Sequence, residues 1–163
     1  MNKLKFEFEG KMIEVAYDGI RDDFVTQINE LFRIEHYKKG RIKKDMTIID
    51  AGANVGMASL YFSKYAKKIY ALEPSSRSFT CLTENVKNNL KNVTPINKAL
   101  SYSNKSEKMG SNKKDAPAQS FYTKEFNVEI VPAIDFPTLF NEYKIDHVDL
   151  LKIDVEGAEY LIL

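Results

Sequence analysis

Asp50, Gly52, Asn54 and Gly56 lie in the run IIDAGANVG, Glu73 closes the run YALEP, and Asp154 and Glu156 fall in KIDVEGAE. Glycines at 52 and 56 allow a turn that side chains would forbid, with close approach of the backbone to a partner. A phosphate-binding P-loop would need a lysine after the second glycine, and none is present. A dinucleotide turn would read G-x-G-x-x-G, leaving room for a pyrophosphate at a helix N-terminus. Here an aspartate stands at the strand end, which would repel a pyrophosphate but suits an ammonium or a sulfonium. One strand later, the Glu73 carboxylate is placed to accept both hydroxyls of a ribose. The combination predicts an adenosine ligand with a cationic tail, namely S-adenosylmethionine.

Asp154 and Glu156 are two residues apart, so on continued strand geometry they point to one side. Either is a candidate to take a proton from a hydroxyl under attack. Two carboxylates also suit a hard divalent ion, but such sites recruit more oxygen ligands, and no metal is expected. Lys152 lies between Leu151 and Ile153 in what reads as an interior strand, so it needs a partner, with Asp50 or Asp154 in reach. A structural ion pair is expected there in preference to a catalytic amine. His36 and His147 read as surface residues. Tyr37, Phe121 and Tyr122 read either as packing or as platforms for a sugar ring.

The elements that would carry these residues follow from periodicity. Leu4, Phe6 and Phe8 alternate with charged residues, and Ile13, Val15 and Tyr17 do so again beyond Gly10, which predicts a hairpin with one buried face. Phe24, Ile28, Leu31 and Phe32 recur at helical spacing in a segment ended by Gly40. From Met46 the pattern becomes βαβ: MTIID a strand, residues 55–67 a helix, KIYALEP a strand, SRSFTCLTENVKNNL a helix and VTPINKALS a strand. Pro95 puts that last strand at an edge or at its own start. Residues 102–120 are polar and without period, expected as a mobile loop or ragged hairpin. NVEIVPAID reads as a strand, FPTLFNEYKI as a helix, and HVDLLKIDVEGAEYLIL as strand, turn and helix.

Alternating β and α elements predict an α/β, Rossmann-like, doubly wound and mostly parallel sheet, preceded by the hairpin and helix at 1–45, with a cofactor core at 46–163. Ligands in such sheets lie beyond the carboxyl ends of the strands, where strand order reverses. At 163 residues with 44% apolar content, one packed domain is expected. Formal charge is +1 from 24 basic and 23 acidic residues, which argues against a dedicated nucleic-acid surface. Cys81 stands alone, excluding an internal disulfide and a multi-cysteine metal site. No run approaches the ~20 apolar residues of a membrane span, and the N-terminus alternates unlike a signal peptide, so a cytoplasmic protein is expected.

The runs IIDAGANVG, ALEPS, NKALS and VDLLKIDVEGAEYLIL, with the lead-in VPAIDFPTLFNEYKIDH, together resemble the FkbM family of S-adenosylmethionine-dependent methyltransferases. The resemblance implies transfer to hydroxyl oxygens of sugars, glycolipids or natural products. It places Asp50, Gly52, Asn54 and Gly56 at the methionine end of the cofactor and Glu73 at the ribose. Asn97, Lys98 and Ala99 would border the adenine, and Asp154, Glu156 and Gly157 the site of transfer. Set against the family pattern, the chain is expected to lack the last strands of the sheet. That would leave a fragment or short form, able to cover its open edge by forming a homodimer. A cofactor-binding half-domain without transfer is the alternative.

Overall fold

The computed structural model describes residues 1–19, 21–33, 42–111, 126–155 and 159–162. Strands β1 (Asn2–Phe8) and β2 (Lys11–Tyr17) form the expected hairpin, in register from Asn2 opposite Tyr17 to Phe8 opposite Lys11. Glu9 and Gly10 turn it with positive φ, a left-handed shape that Gly10 adopts without a Cβ penalty. Helix α1 (Arg21–Ile28) runs into a π-helical turn at Asn29–Arg33. The rest of the expected helix, with His36, Tyr37 and Gly40, lies outside the described residues.

The central sheet contains β3 (Met46–Ala51), β4 (Ala66–Leu72), β5 (Val93–Ile96) and β10 (Leu150–Ile153), all parallel in the order β10-β3-β4-β5. The chain steps outward from β3 to β4 to β5, then returns to the other side of β3 with β10. Strand order therefore reverses between β3 and β10, which puts the ligand crevice at the carboxyl ends of those two strands. Pro95 sits in β5, the edge expected for a residue without an N–H to donate.

Alternation along the strands sends Ile48, Ile69 and Ala71 to one face and Ile49, Ala51, Tyr70 and Leu72 to the other. Against the first face pack α2 (Met57–Phe62) and α3 (Ser76–Asn89) through Tyr61, Phe62 and Leu82. Against the second lies α4 (Phe136–Tyr143), anchored by Leu139 and started by Asp135, whose side chain accepts from Thr138 N–H. The hairpin packs outside the first layer: Val15, Ala16 and Tyr17 join Phe24, Ile28, Met57, Leu60 and Cys81 in one cluster.

Several expectations are corrected. Helix α2 ends at Phe62 instead of continuing to Lys67, because Ala66 already pairs with Met46 in the sheet. VTPINKALS is two strands: after β5 the chain leaves the sheet, and β6 (Ala99–Leu100) pairs in parallel with β9 (Ala133–Ile134). NVEIVPAID likewise divides at Pro132, giving β9 and a preceding β8 (Phe126–Val131). The segment 102–120 contains β7 (Glu107–Ser111), antiparallel to β8, and its remainder from 112 lies outside the described residues. Strand β10 is half-buried along its whole length and is a boundary of the described sheet. Helix α5 (Glu159–Ile162) is the last described element.

Candidate functional site

The turn between β3 and α2 is built on left-handed backbone at three alternate positions, Gly52 (φ 75°), Asn54 (φ 51°) and Gly56 (φ 90°). Gly52 is required twice over. Its φ favours glycine, and a Cβ there would run into the carbonyl oxygen of Asp154 at the end of β10. The close approach predicted for a ligand is thus made first by the neighbouring strand. Gly56 faces the helix layer, where a Cβ would stand 2.7 Å from Leu82 Cδ1 of α3. Both Gly52 and Ala53 N–H groups donate to Leu72 O, tying the turn to the end of β4.

Glu73 follows directly after β4 and is 7% exposed. Its Oε2 accepts from Asn54 N–H at 2.8 Å and its Oε1 from Ser75 N–H at 2.8 Å. Burial raises its pKa to about 7, against the opposing pull of the Ser75 and Asn54 amides and the more distant Lys152 charge. Each carboxylate oxygen carries a second lone pair, so Glu73 keeps the capacity to accept two hydroxyls. That remaining capacity fits a ribose diol.

Asp50 is fully buried. Its Oδ2 accepts from Ser59 Oγ at 2.7 Å, and its Oδ1 lies 3.1 Å from Lys152 Nζ. Lys152 also donates to Gly52 O at 2.8 Å and lies 3.6 Å from Asp154 Oδ2. Among the described residues, three oxygens thus face this ammonium, those of Asp50, Gly52 and Asp154. The expected ion pair is present with both candidate partners. Asp154 differs from Asp50 in being open to solvent, with a side chain 66% exposed. Glu156 and Gly157 lie outside the described residues.

Asn97 lies beside Glu73, donating to Glu73 O at 2.8 Å and Pro74 O at 3.1 Å. Lys98 is paired with Glu142 of α4 at 2.9 Å, and Ala99 is buried in β6 among Met109, Val131 and Ala133. Of the three residues expected near an adenine, the structure brings only Asn97 into contact with Glu73.

A cleft of about 270 Å³ opens over the turn. It is lined by residues 52–55 of the turn and Met57 and Ala58 of α2, by Lys152 and Asp154, and by Gln27, Glu30 and Leu31 of the N-terminal helical segment. Sequence reasoning missed Gln27, Glu30, Ser59 and Asn85. Asn85 is buried in α3, accepting from Ala16 N–H and donating to Ala16 O and Val55 O, so it ties the hairpin to the turn. The signal was available: Asn85 follows Cys81 and Leu82 at helical spacing and shares their inward face. Among the described residues no group of three His, Cys, Asp or Glu is placed to hold a metal, and no helix is long and apolar enough to cross a membrane.

The model of the methyltransferase FkbM domain matches residues 50–163. Methyltransferase 1 of Beauveria bassiana (strain ARSEF 2860) is 30% identical, over 82% of this chain and 64% of that protein. This chain therefore spans somewhat less than two thirds of that curated relative. Among solved structures, Trm5b from Pyrococcus abyssi superposes with a TM-score of 0.41 at 21% identity, over 58% of this chain and 27% of that one. TYW2 from M. jannaschii in complex with AdoMet gives 0.39 at 21% identity, over 58% and 42%.

Proposed function

We propose, from the premise that this chain belongs to the FkbM methyltransferase family, that it binds S-adenosylmethionine and methylates a hydroxyl of a sugar, glycolipid or other natural product. The observation that carries the reading is the bond from Asn54 N–H to Glu73 Oε2. It joins the glycine turn after β3 to a carboxylate at the end of β4, at the crevice where strand order reverses.

The cofactor, when bound, supplies an electrophilic methyl group. Glu73 would hold the ribose hydroxyls on its free lone pairs, while Gly52, Asn54 and Gly56 shape the backbone that faces the methionine end. Asp50 would act indirectly, fixing Lys152 and through it the Gly52 carbonyl. Asn97 would border the adenine while keeping the segment after β4 closed onto Glu73; Lys98 and Ala99 would extend that border. Displacement at a sulfonium needs acceptor, methyl and sulfur in line, so positioning is the main task of the protein. An alcohol must also lose its proton, and Asp154, a carboxylate open to the cleft at the end of β10, is assigned to take it. Glu156 would share that task or hold the acceptor.

Calorimetric titration of the chain with S-adenosylmethionine, and separately with NAD, tests the cofactor assignment. Saturable binding of the first alone, abolished in Glu73→Ala with the fold intact by circular dichroism, is the expected result. Binding of NAD, or unchanged affinity in Glu73→Ala, would overturn it. For the chemistry, Asp154→Asn should reduce formation of S-adenosylhomocysteine far more than cofactor affinity. Equal loss of both would remove Asp154 from its assigned role.

A further inference from the structure

Part of the cleft lining, Gln27, Glu30 and Leu31, comes from an element outside the family match, which starts at residue 50. Gln27 closes α1 from within and Glu30 opens the π-helical turn, three positions apart and hence on neighbouring turns of one face. A π turn shifts helical register locally and is frequent where a side chain is aimed at a ligand. Both side chains are exposed, and neither has a hydrogen-bond partner among the described residues. Leu31, next in sequence, also lines the cleft and packs at the same time against the buried hairpin cluster, which fixes the helix in place. The cleft thus has a wall of unused polar groups on a packed support.

Its charge is equally specific. Glu30 and Asp154 present carboxylates to the space, while the single lining cation among the described residues, Lys152, stands within an ion pair of the buried Asp50. A cationic donor in the adjoining turn would complement that field, and an anionic acceptor would oppose it.

We propose that Gln27 and Glu30 are the acceptor-reading residues, and that the cleft takes a neutral or amine-bearing polyhydroxy acceptor while rejecting an anionic one. Gln27 offers both a donor and an acceptor to a sugar hydroxyl, and Glu30 accepts from a hydroxyl or an ammonium. The inference rests on the methyltransferase reading, since it gives that reaction its substrate class.

The test uses three probes matched in shape: methyl glucoside, methyl glucosaminide and methyl glucuronide. Each is titrated into the 163-residue chain by ligand-observed NMR, with and without S-adenosylhomocysteine, alongside direct titration of S-adenosylhomocysteine itself. The glucosaminide and glucoside should bind, and the glucuronide should be weaker by about tenfold, the scale of one unscreened charge contact. Glu30→Lys should reverse that order, and Gln27→Ala should weaken all three, each with S-adenosylhomocysteine affinity unchanged. An unchanged order in Glu30→Lys, equal binding of the glucuronide, or binding of none of the three would overturn the proposal. So would a loss of S-adenosylhomocysteine affinity in these variants, which would make the wall part of the cofactor site. If S-adenosylhomocysteine does not bind the unaltered chain, the methyltransferase reading fails separately, and the glycoside order still decides the chemistry of the cleft.

Discussion

Lys152 and Asp50 face one another in the parallel ladder between β10 and β3, and their side chains meet with Nζ 3.1 Å from Oδ1. Two residues further along each chain, the backbones are close enough that Gly52 admits no side chain against Asp154. The pair therefore sits at the seam where the cofactor turn and the proposed proton acceptor are joined.

Replacing Lys152 by Met should strand the Asp50 carboxylate in the interior with Ser59 as its remaining donor. Removing one partner of a buried pair costs ~3–5 kcal/mol, because the other charge stays desolvated. Urea denaturation should show that loss, and adding Asp50→Asn in the same chain should restore part of it. A loss within ~1 kcal/mol, as for an exposed pair, would mean that the charges are solvated in solution.

The glycines give a ranking in which backbone strain cancels. Gly10 and Gly52 share φ near +75°, but a Cβ on Gly10 meets nothing within 4 Å, whereas one on Gly52 meets main-chain atoms. Gly10→Ala should cost only the left-handed penalty of about 1 kcal/mol. Gly52→Ala should cost several times more and detach the turn from β10. Gly56→Ala should fall between, since the terminal methyl of Leu82 can rotate away. Thermal denaturation of the three variants settles the order, and equal losses at positions 10 and 52 would show that the strands separate easily.

The same residues show how far sequence could lead. Period-two alternation exposed the hairpin, because one of its faces is buried, and the IIDAGANVG and ALEP runs exposed the strands that carry Asp50 and Glu73. The need of Lys152 for a partner was legible too, and the register of β10 shows that it meets the buried Asp50 side chain while also lying near Asp154. The splits at Asn97–Lys98 and at Pro132 were illegible, since β6 and β9 are two residues long and leave no period to read. Gln27 and Glu30 were illegible for the opposite reason, being polar residues on a helix whose exposed face happens to border a cleft.

Glu73 should make stability depend on pH. Its folded pKa is raised to about 7 by burial, above an unfolded value near the ordinary 4.5, so between those limits the folded state holds more protons than the unfolded one. Its contribution is then fully present below pH ~4.5 and is lost as pH rises through 7. Melting temperatures from pH 5 to 8 should fall relative to those of Glu73→Gln, which cannot ionise. Cofactor affinity should run the other way, because hydroxyls donate better to the carboxylate. Parallel melting curves for the two proteins would mean that Glu73 is already charged at pH 5.

Asn85 links three backbone groups of the hairpin and the turn: Ala16 N–H at 2.6 Å, Ala16 O at 2.8 Å and Val55 O at 2.7 Å. Asn85→Ala leaves buried polar groups on both the hairpin and the turn, at a cost on the order of 3 kcal/mol. Asn85→Asp keeps the bond from Ala16 N–H but loses both donors and sets a carboxylate against two carbonyls, so it should be no milder. Asn88→Ala is the control, since Asn88 is exposed and bonds to Glu84 at 3.0 Å, and a surface change of that kind stays within about 0.5 kcal/mol. The distinguishing readout is amide hydrogen exchange. Ala16 should lose protection in Asn85→Ala, and the turn at Val55 should loosen with it, lowering affinity for S-adenosylhomocysteine although Asn85 itself lines no part of the cleft. Unchanged exchange at Ala16 would show that the hairpin is held without Asn85, by the apolar cluster of Val15, Tyr17 and Phe24 and by the bond from Asn89 to Glu14 O.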